Sequence, residues 1–162
     1  VYVPKYVFPV TAVVATTIKF LFVFPLLVIL LVILGHHPSP SWIALPVVMA
    51  IEFIFAVVIG TITSLAVPFL PDIRILINNG LILLLFLSGI FYSVSNIPEP
   101  WQTYFFLNPM AVIIQAFRDI LLEARWPDWS ALSIILFGSL FALGITLKAH
   151  NRLDLVYAKR IP

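Results

Sequence analysis

Cysteine is absent from this sequence and charged residues are scarce. Of its 162 residues, 62% are hydrophobic and only 10% are charged, whereas about 25% of the residues in a soluble globular domain are charged. This composition excludes a water-soluble fold and predicts a membrane protein. Because no cysteine is present, a disulfide framework, thiol chemistry and a cysteine-based metal site are excluded as well.

Glycine is rare too, and the sequence has no phosphate-binding loop. Its 6 glycines do not form a GxxxxGK(S/T) run, the loop whose backbone N–H groups cradle the phosphates of ATP. The adjacent His36 and His37 have no third ligand at metal spacing, and the spacings give no nucleophile–base or carboxylate pair. We therefore predict no catalytic residue, no metal site and no cofactor in this chain. The net charge of +2 is too small to indicate a nucleic-acid partner.

Long hydrophobic runs divide the chain into four predicted membrane spans, at about residues 9–34, 42–68, 75–92 and 131–148. A helix needs about 20 apolar residues to cross roughly 30 Å of hydrocarbon, so the first two runs are ample and the last two are short. We predict an all-α membrane protein in which residues 1–162 form a single transmembrane domain. The 13 prolines predict irregular helices, because membrane helices tolerate such breaks.

The basic residues predict the orientation of the chain. If the N-terminal end lies inside, six of the nine basic residues are cytoplasmic, namely Lys5, Arg74, Lys148, Arg152, Lys159 and Arg160. This arrangement satisfies the positive-inside bias, so we expect a multi-pass protein with both ends in the cytoplasm. The chain begins without an initiator Met or a signal-like region, which predicts that its N-terminal part is missing.

Two charged residues interrupt the apolar spans. Lys19 lies ten residues past Pro9 and Glu52 lies ten residues past Trp42, which places both about 15 Å deep at helical rise, where they could meet. An ionised group at that depth costs about 2.5–3.5 kcal/mol, so each needs a partner, protein surroundings or water. Two interpretations stay open: a polar lining of a transport path or a proton relay, and a structural ion pair.

The segment between the third and fourth spans, residues 88–129, is too polar to cross a membrane and too apolar for an ordinary loop. The Ser-Gly pair at 88–89 predicts the end or a kink of the third helix. The Ile-Pro-Glu-Pro run at 97–100 predicts a rigid extended or turn segment. Asn108 can cap a new helix, and Pro109 is tolerated at its first position.

The helix predicted from Pro109 onward is amphipathic. Apolar residues recur at helical spacing on one side, and the other side carries Gln115, Arg118, Asp119 and Glu123. About 14 apolar-rich residues are too few to span the bilayer. We therefore predict that residues of about 96–126 form a re-entrant or interfacial element on the extracytoplasmic side.

Aromatic residues are concentrated around this element, and two roles are open for them. The first is interfacial anchoring, which suits Trp101, Tyr104, Trp126 and Trp129. The second is a path on which rings stack against sugars or lipid, with Phe91, Tyr92, Trp101 and Tyr104 as the candidates.

Several runs of this chain resemble ABC transporter permeases of the polysaccharide-export type, which move O-antigen, capsule or teichoic acid polymers. The runs are FPVTAVV at 8–14, LPVVMAIEFIFAVVIGTITSLAVPFLPDIR at 45–74, SGIFYSVSNIP at 88–98 and FLNPMAVIIQAFRDIL at 106–121. Each run alone is degenerate, but their order and spacing are preserved over almost the whole chain. The resemblance implies a six-helix permease, of which this chain holds helices three to six and two short re-entrant helices.

The resemblance also implies partners and a location. The permease would be a homodimer in the inner membrane of a bacterium or archaeon, joined to two ATPase subunits that bind ATP and Mg and hydrolyse the nucleotide. A lipid-linked glycan would pass between the two permease subunits.

Roles for individual residues follow from the same resemblance. The substrate path would include Phe91, Tyr92, Trp101, Tyr104, Lys19 and Glu52. The re-entrant helix would be organised by Asn108, Pro109, Arg118 and Asp119. The ATPase would be faced by Lys5, Asp72 and Arg74. Relatives commonly carry an Arg-Asp pair after helix four, where this chain has Pro71-Asp72-Ile73-Arg74, so a local salt bridge or helix cap at Asp72 is an alternative.

Other functions are open at this point. The same scaffold serves ABC-type drug or lipid efflux. A proton-coupled secondary transporter would use Glu52 and would carry flux without ATP. A membrane-embedded enzyme or a purely structural membrane protein is a third class, disfavoured because the sequence shows no reactive cluster.

Overall fold

The computed structural model describes residues 6–68, 70, 72–92 and 96–158, with side chains as far as His150. Six α-helices follow one another: α1 (Val7–Ile33), α2 (Leu45–Ala66), α3 (Ile73–Leu87), α4 (Glu99–Phe105), α5 (Pro109–Leu121) and α6 (Trp129–Ala158). A 3₁₀ helix, Pro40–Ala44, leads directly into α2. No strand occurs in this part of the chain, so the predicted all-α class is confirmed. Lys5 lies outside the described residues.

Three helical segments are long and apolar enough to cross a membrane: Val7–Ile33, Pro40–Ala66 and Trp129–His150. The helix α3 is apolar but has only 15 residues, which extend about 22 Å at 1.5 Å per residue. It is shorter than the predicted span of 75–92 because it ends at Leu87. There the Ser88 hydroxyl donates to the Leu84 carbonyl and Gly89 turns the backbone to a φ of 72°, a conformation that favours glycine.

The prolines disturb the helices less than their number predicts. Pro25 lies inside α1, which remains one helix over 27 residues. The predicted rigid turn at 97–100 is only half correct, because Glu99 and Pro100 form the first turn of α4. Proline is tolerated there since the first N–H groups of a helix have no partner within the helix.

The helix α2 is the centre of the bundle and packs against α1, α5 and α6. Its buried side chains meet those of α5 and α6 in one apolar cluster: Ala44, Leu45, Val48, Ile51, Val112, Ile113, Ala116, Ile120, Leu121 and Leu132. The Ser41 hydroxyl adds a polar link by donating to the Ile120 carbonyl at 3.4 Å. These contacts place α5 across the end of the bundle at which α2 begins.

The side chain of Lys19 does not meet that of Glu52. The half-buried side chains of α1 include Val13, Thr17 and Phe24, which lie on one side of the helix, whereas Lys19 is exposed. Within the described residues, the one ion pair joins Arg125 to Glu123. Of the interpretations left open for Lys19 and Glu52, the structural ion pair is therefore absent from the described residues, because equal depth does not bring residues on different helix faces together.

A buried histidine joins the helices at the opposite end of the bundle. His150 is buried on α6, and its Nδ1 lies 3.0 Å from the Thr146 carbonyl. Since a carbonyl can only accept, Nδ1 carries the proton. Nε2 lies 3.1 Å from the Ser64 hydroxyl of α2, and the Tyr6 ring packs edge-on against the imidazole at 6.4 Å. His150 therefore links α2, α6 and the start of α1.

Asp128 caps the start of α6, a role that the sequence analysis missed. Its carboxylate accepts from the backbone N–H groups of Ser130 and Ala131 at 2.9 and 3.2 Å. The hydrogen bond from the Ser130 hydroxyl is the main cause that lowers the pKa of Asp128. The helix consequently begins two residues earlier than the predicted 131.

We predict that Gly89→Ala destabilises the protein by about 1–3 kcal/mol. A Cβ at Gly89 would lie 2.8 Å from Cζ of Phe105, and the φ of +72° strains any side chain. Thermal unfolding of the detergent-solubilised protein measures the effect. The matched control is Gly138→Ala, where a Cβ meets nothing within 4 Å. Equal midpoints for Gly89→Ala and wild type would contradict this prediction.

Candidate functional site

The candidate site lies where the end of α3 meets α4 and α5. Asn108 joins these elements through both ends of its side-chain amide. Its Oδ1 accepts from the N–H of Met110 at 3.0 Å, which caps α5. Its Nδ2 donates to the hydroxyl of Ser88 at 3.0 Å. With Pro109 in the first turn of α5, the start of this helix is fixed to the residue at which α3 ends.

Arg118 binds the turn that follows α3, which we call the 88–92 turn. Its Nη2 donates to the carbonyls of Gly89 at 2.6 Å and Ile90 at 3.2 Å. Its Nη1 donates to the carbonyl of Tyr92 at 3.2 Å. A planar guanidinium presents several donors in fixed directions, so one side chain can hold three backbone acceptors. The 88–92 turn is therefore bound to α5 at two points, through Asn108 and Arg118.

Close packing adds a third contact between these elements. Gly89 is buried, and the ring of Phe105 lies over it at a distance that leaves no room for a Cβ. The same ring lies 6.1 Å from that of Tyr92. The close approach of α4 to the 88–92 turn thus depends on glycine at position 89.

The remaining polar residues of α5 interact within their own segment. Gln115 donates to the Asp119 carboxylate at 2.8 Å. Partial burial raises the pKa of Asp119, and the hydrogen bond from Gln115 opposes that increase. The N–H of Arg125 donates to the Asp119 carbonyl at 2.8 Å, and the guanidinium of Arg125 pairs with Glu123 at 3.1 Å in an exposed position. Asp119 therefore organises the end of α5 and does not bind Arg118.

Most of the predicted path aromatics are exposed at this end of the molecule. Phe91, Trp101 and Tyr104 expose 67%, 64% and 66% of their surface, whereas Tyr92 is half-buried. They form two groups: Phe91 stacks on Phe86 with ring centroids 5.3 Å apart, and Trp101 lies 5.9 Å from Tyr104. Exposed rings of this kind can contact either a lipid chain or a sugar ring.

The other predicted site residues lie elsewhere. Lys19 is exposed on α1 and Glu52 is half-buried on α2, within the segments that can span a membrane. Asp72 and Arg74 are exposed at the start of α3. Asp72 makes no side-chain cap bond, and no salt bridge joins it to Arg74 in the described chain. Neither a side-chain cap nor a salt bridge with Arg74 therefore forms at Asp72 among the described residues.

Two residues of this site, Ser88 and Phe105, were not predicted from the sequence, and neither was Asp128 at the start of α6. Ser88 is buried and bridges α3 to Asn108, although the sequence indicated only a helix end. No sequence pattern indicated that the ring of Phe105 lies over Gly89. The carboxylate of Asp128 two residues before Ser130 is a recognisable cap pattern. No group of three or more residues that could hold a metal ion occurs among the described residues.

Known proteins resemble this chain over nearly its whole length. Two O-antigen export system permease proteins RfbA of Klebsiella pneumoniae are 26% and 25% identical to it over 157 residues, or 96% of this chain and 60% of each relative. The O-antigen export system permease protein RfbA of Myxococcus xanthus is 27% identical over 127 residues, or 77% of this chain and 49% of that relative. The chain thus spans 60% of the length of the Klebsiella relatives. No solved structure matches it significantly.

The family model of the ABC-2 type transporter matches residues 1–122. This range contains α1 to α5 and the contacts of Asn108 and Arg118 with the 88–92 turn. This match confirms the resemblance to an ABC transporter permease at the level of the family. The chain belongs to the ABC-2 type transporter family.

Proposed function

We propose that this chain is part of the membrane-spanning permease subunit of an ATP-driven exporter of lipid-linked polysaccharide. The observation that carries the proposal is the α4–α5 segment, which is bound to the end of α3 through Arg118 and exposes aromatic rings at the same end. The names of its relatives, all O-antigen export permeases, support a polysaccharide as the cargo. O-antigen, capsule and teichoic acid polymers all fit this class.

The proposed working assembly is a homodimer of permease subunits with two ATPase subunits, in the inner membrane of a bacterium or archaeon. The ATPase subunits bind ATP and Mg and hydrolyse the nucleotide, and the permease has no catalytic residue. The sequence supports this division because it contains no phosphate-binding loop. Both ends of the chain lie in the cytoplasm, and Lys5, Asp72 and Arg74 face the ATPase.

The helix α3 connects the proposed ATPase surface to the proposed exit. The exposed Asp72 and Arg74 lie at its start, and its other end is held by Arg118 and Asn108. A helix of this length moves as a rigid rod, because each of its peptide groups is hydrogen-bonded to the next turn. A shift that the ATPase imposes on the start of α3 therefore reaches the α4–α5 segment.

The aromatic rings at that segment form the proposed exit path. Phe91, Tyr92, Trp101 and Tyr104 offer flat apolar faces, which stack on the apolar faces of sugar rings while hydroxyl groups of the sugar stay hydrated. Lys19 and Glu52 are assigned to the same path at greater depth. A charge inside the bilayer needs polar surroundings, and a path that carries a hydrated polymer supplies them.

The test of the proposed function uses the full permease with its own ATPase in the native host. We expect that loss of the permease removes the polymer from the cell surface and leaves lipid-linked polymer inside. The same loss is expected when the ATPase is inactivated at its catalytic residue. Polymer measured by immunoblot on intact and broken cells separates the two pools. Export that continues without ATP hydrolysis, and that Glu52→Gln abolishes, would instead indicate proton-coupled transport.

Replacing the rings of Tyr92, Trp101 and Tyr104 by alanine tests the exit path. We expect export to fall at least about ten-fold at unchanged protein level, since each ring contact contributes about 0.5–1.5 kcal/mol. The control is Trp126→Ala, which removes an exposed aromatic ring outside both groups. Export of polymer at the wild-type rate by the triple variant would exclude a path along these rings.

A further inference from the structure

The helix α6 turns one side toward the bundle and the opposite side away from it. Its buried residues recur at steps of seven, seven and four positions, so they lie on one side of the helix. They are Leu132, Ser139, Thr146 and His150. The opposite side carries a row of exposed residues that we call the outer stripe. Its members are Ile134, Phe137, Phe141, Ile145 and Lys148.

The side chains of the outer stripe suit lipid chains better than a neighbouring helix. Helix pairs in membranes approach each other through small residues, whereas the four apolar members of the stripe are isoleucine and phenylalanine. The two glycines of α6, Gly138 and Gly144, are six positions apart and therefore lie on opposite flanks of the stripe, about 120° apart around the helix. The outer stripe thus presents bulky apolar surface, which fits the hydrocarbon of the bilayer.

The two ends of α6 match the thickness of a bilayer. Trp129 begins the helix and is exposed, as expected of a ring at the membrane interface. From position 129 to position 148 the helix rises about 28 Å at 1.5 Å per residue, which is close to the roughly 30 Å of the hydrocarbon core. An interfacial Trp129 therefore places Lys148 at the opposite boundary, near the lipid phosphates.

A second basic residue follows on the same side of α6. The helix continues to Ala158, and Arg152 is four positions past Lys148, which places it one turn further along the outer stripe. Asp154 is two positions past Arg152 and so lies on the other side of the helix. No ion pair in the described part of the chain involves Lys148. Two positive charges thus end an apolar stripe at the level of the headgroups.

We propose that the end of the outer stripe binds the phosphate group of an anionic phospholipid, in the leaflet that surrounds Lys148 and Arg152. The acyl chains of this lipid lie along Phe141 and Ile145. Basic residues next to a membrane helix attract anionic headgroups, whereas a zwitterionic headgroup carries an ammonium group that opposes the attraction. This lipid site goes beyond the proposed export function. The proposed orientation of the chain makes its leaflet the cytoplasmic one.

Site-specific fluorescence quenching tests this site in the full permease, reconstituted with its ATPase in lipid vesicles. The chain has no cysteine of its own, and any cysteine of the permease outside these 162 residues is replaced by serine. A fluorophore is attached to Ile145→Cys. The vesicles contain an equal fraction of either brominated phosphatidylglycerol or brominated phosphatidylcholine. We expect both lipids to quench the label, phosphatidylglycerol at least about three-fold more strongly.

The controls separate the charge effect from lipid contact in general. Ile134→Cys lies on the same stripe, about 16 Å further from the basic pair, so both lipids should quench its label equally. The double variant Lys148→Gln with Arg152→Gln is expected to remove the preference at position 145, whereas Lys148→Arg keeps it. Arg125→Gln, which removes an exposed charge before α6 begins, is expected to leave the preference unchanged.

Three results would overturn this lipid site. If neither lipid quenches the label at position 145, protein covers the outer stripe. If both lipids quench it equally in the protein with its two basic residues, these residues do not select an anionic headgroup. If the preference persists in the double variant, other groups select the lipid. The proposed export function is measured separately, as polymer at the cell surface, so the lipid site can fail while the export function stands.

Discussion

The contact of the Arg118 guanidinium with the 88–92 turn is the interaction on which the proposed exit depends. Three carbonyls that follow α3 converge on one side chain of α5. Without it, these three carbonyl groups would lose the donors that the guanidinium supplies, and an unpaired carbonyl in apolar surroundings is costly. The hydrogen bonds are charge-assisted, and those to Gly89 and Tyr92 lie in partly buried positions, where such bonds contribute about 1.5–3 kcal/mol. Asn108 and the close contact of Phe105 with Gly89 reinforce the same junction.

Much of the fold could be predicted from hydropathy because a spanning helix needs both length and an apolar composition. The helices α1, α2 and α6 contain the centres of three predicted spans. The limits of α3 could not be predicted in the same way. Ile90 and Phe91 continue the apolar run, but tertiary contacts with Arg118 hold their backbone in a turn. The start of α5 was predictable, since an asparagine followed by proline is a local signal.

The residues that escaped prediction are joined by contacts between distant parts of the chain. Arg118 was recognised as an organising residue, but its partners lie 26 to 29 positions earlier. His150 contacts Ser64 across 86 positions, and a single histidine within a helix gives no local sign of such a bond. The ion pair that was one open interpretation of Lys19 and Glu52 is absent for a related reason. Depth can be counted along a helix, but the face on which a residue meets its neighbours depends on packing.

The central claim is that α3 and the α4–α5 segment act as one unit through Arg118. The most direct test compares polymer export with ATP hydrolysis in the assembled complex of the Arg118→Ala variant. We expect ATP hydrolysis to stay near the wild-type rate, while polymer exported per ATP falls at least about ten-fold. Arg118→Lys keeps the charge but not the planar fork of donors. Its export per ATP is expected to lie between that of wild type and that of Arg118→Ala. The control is Arg125→Ala, which breaks only an exposed ion pair. Wild-type export per ATP in Arg118→Ala, at normal protein level, would contradict the claim.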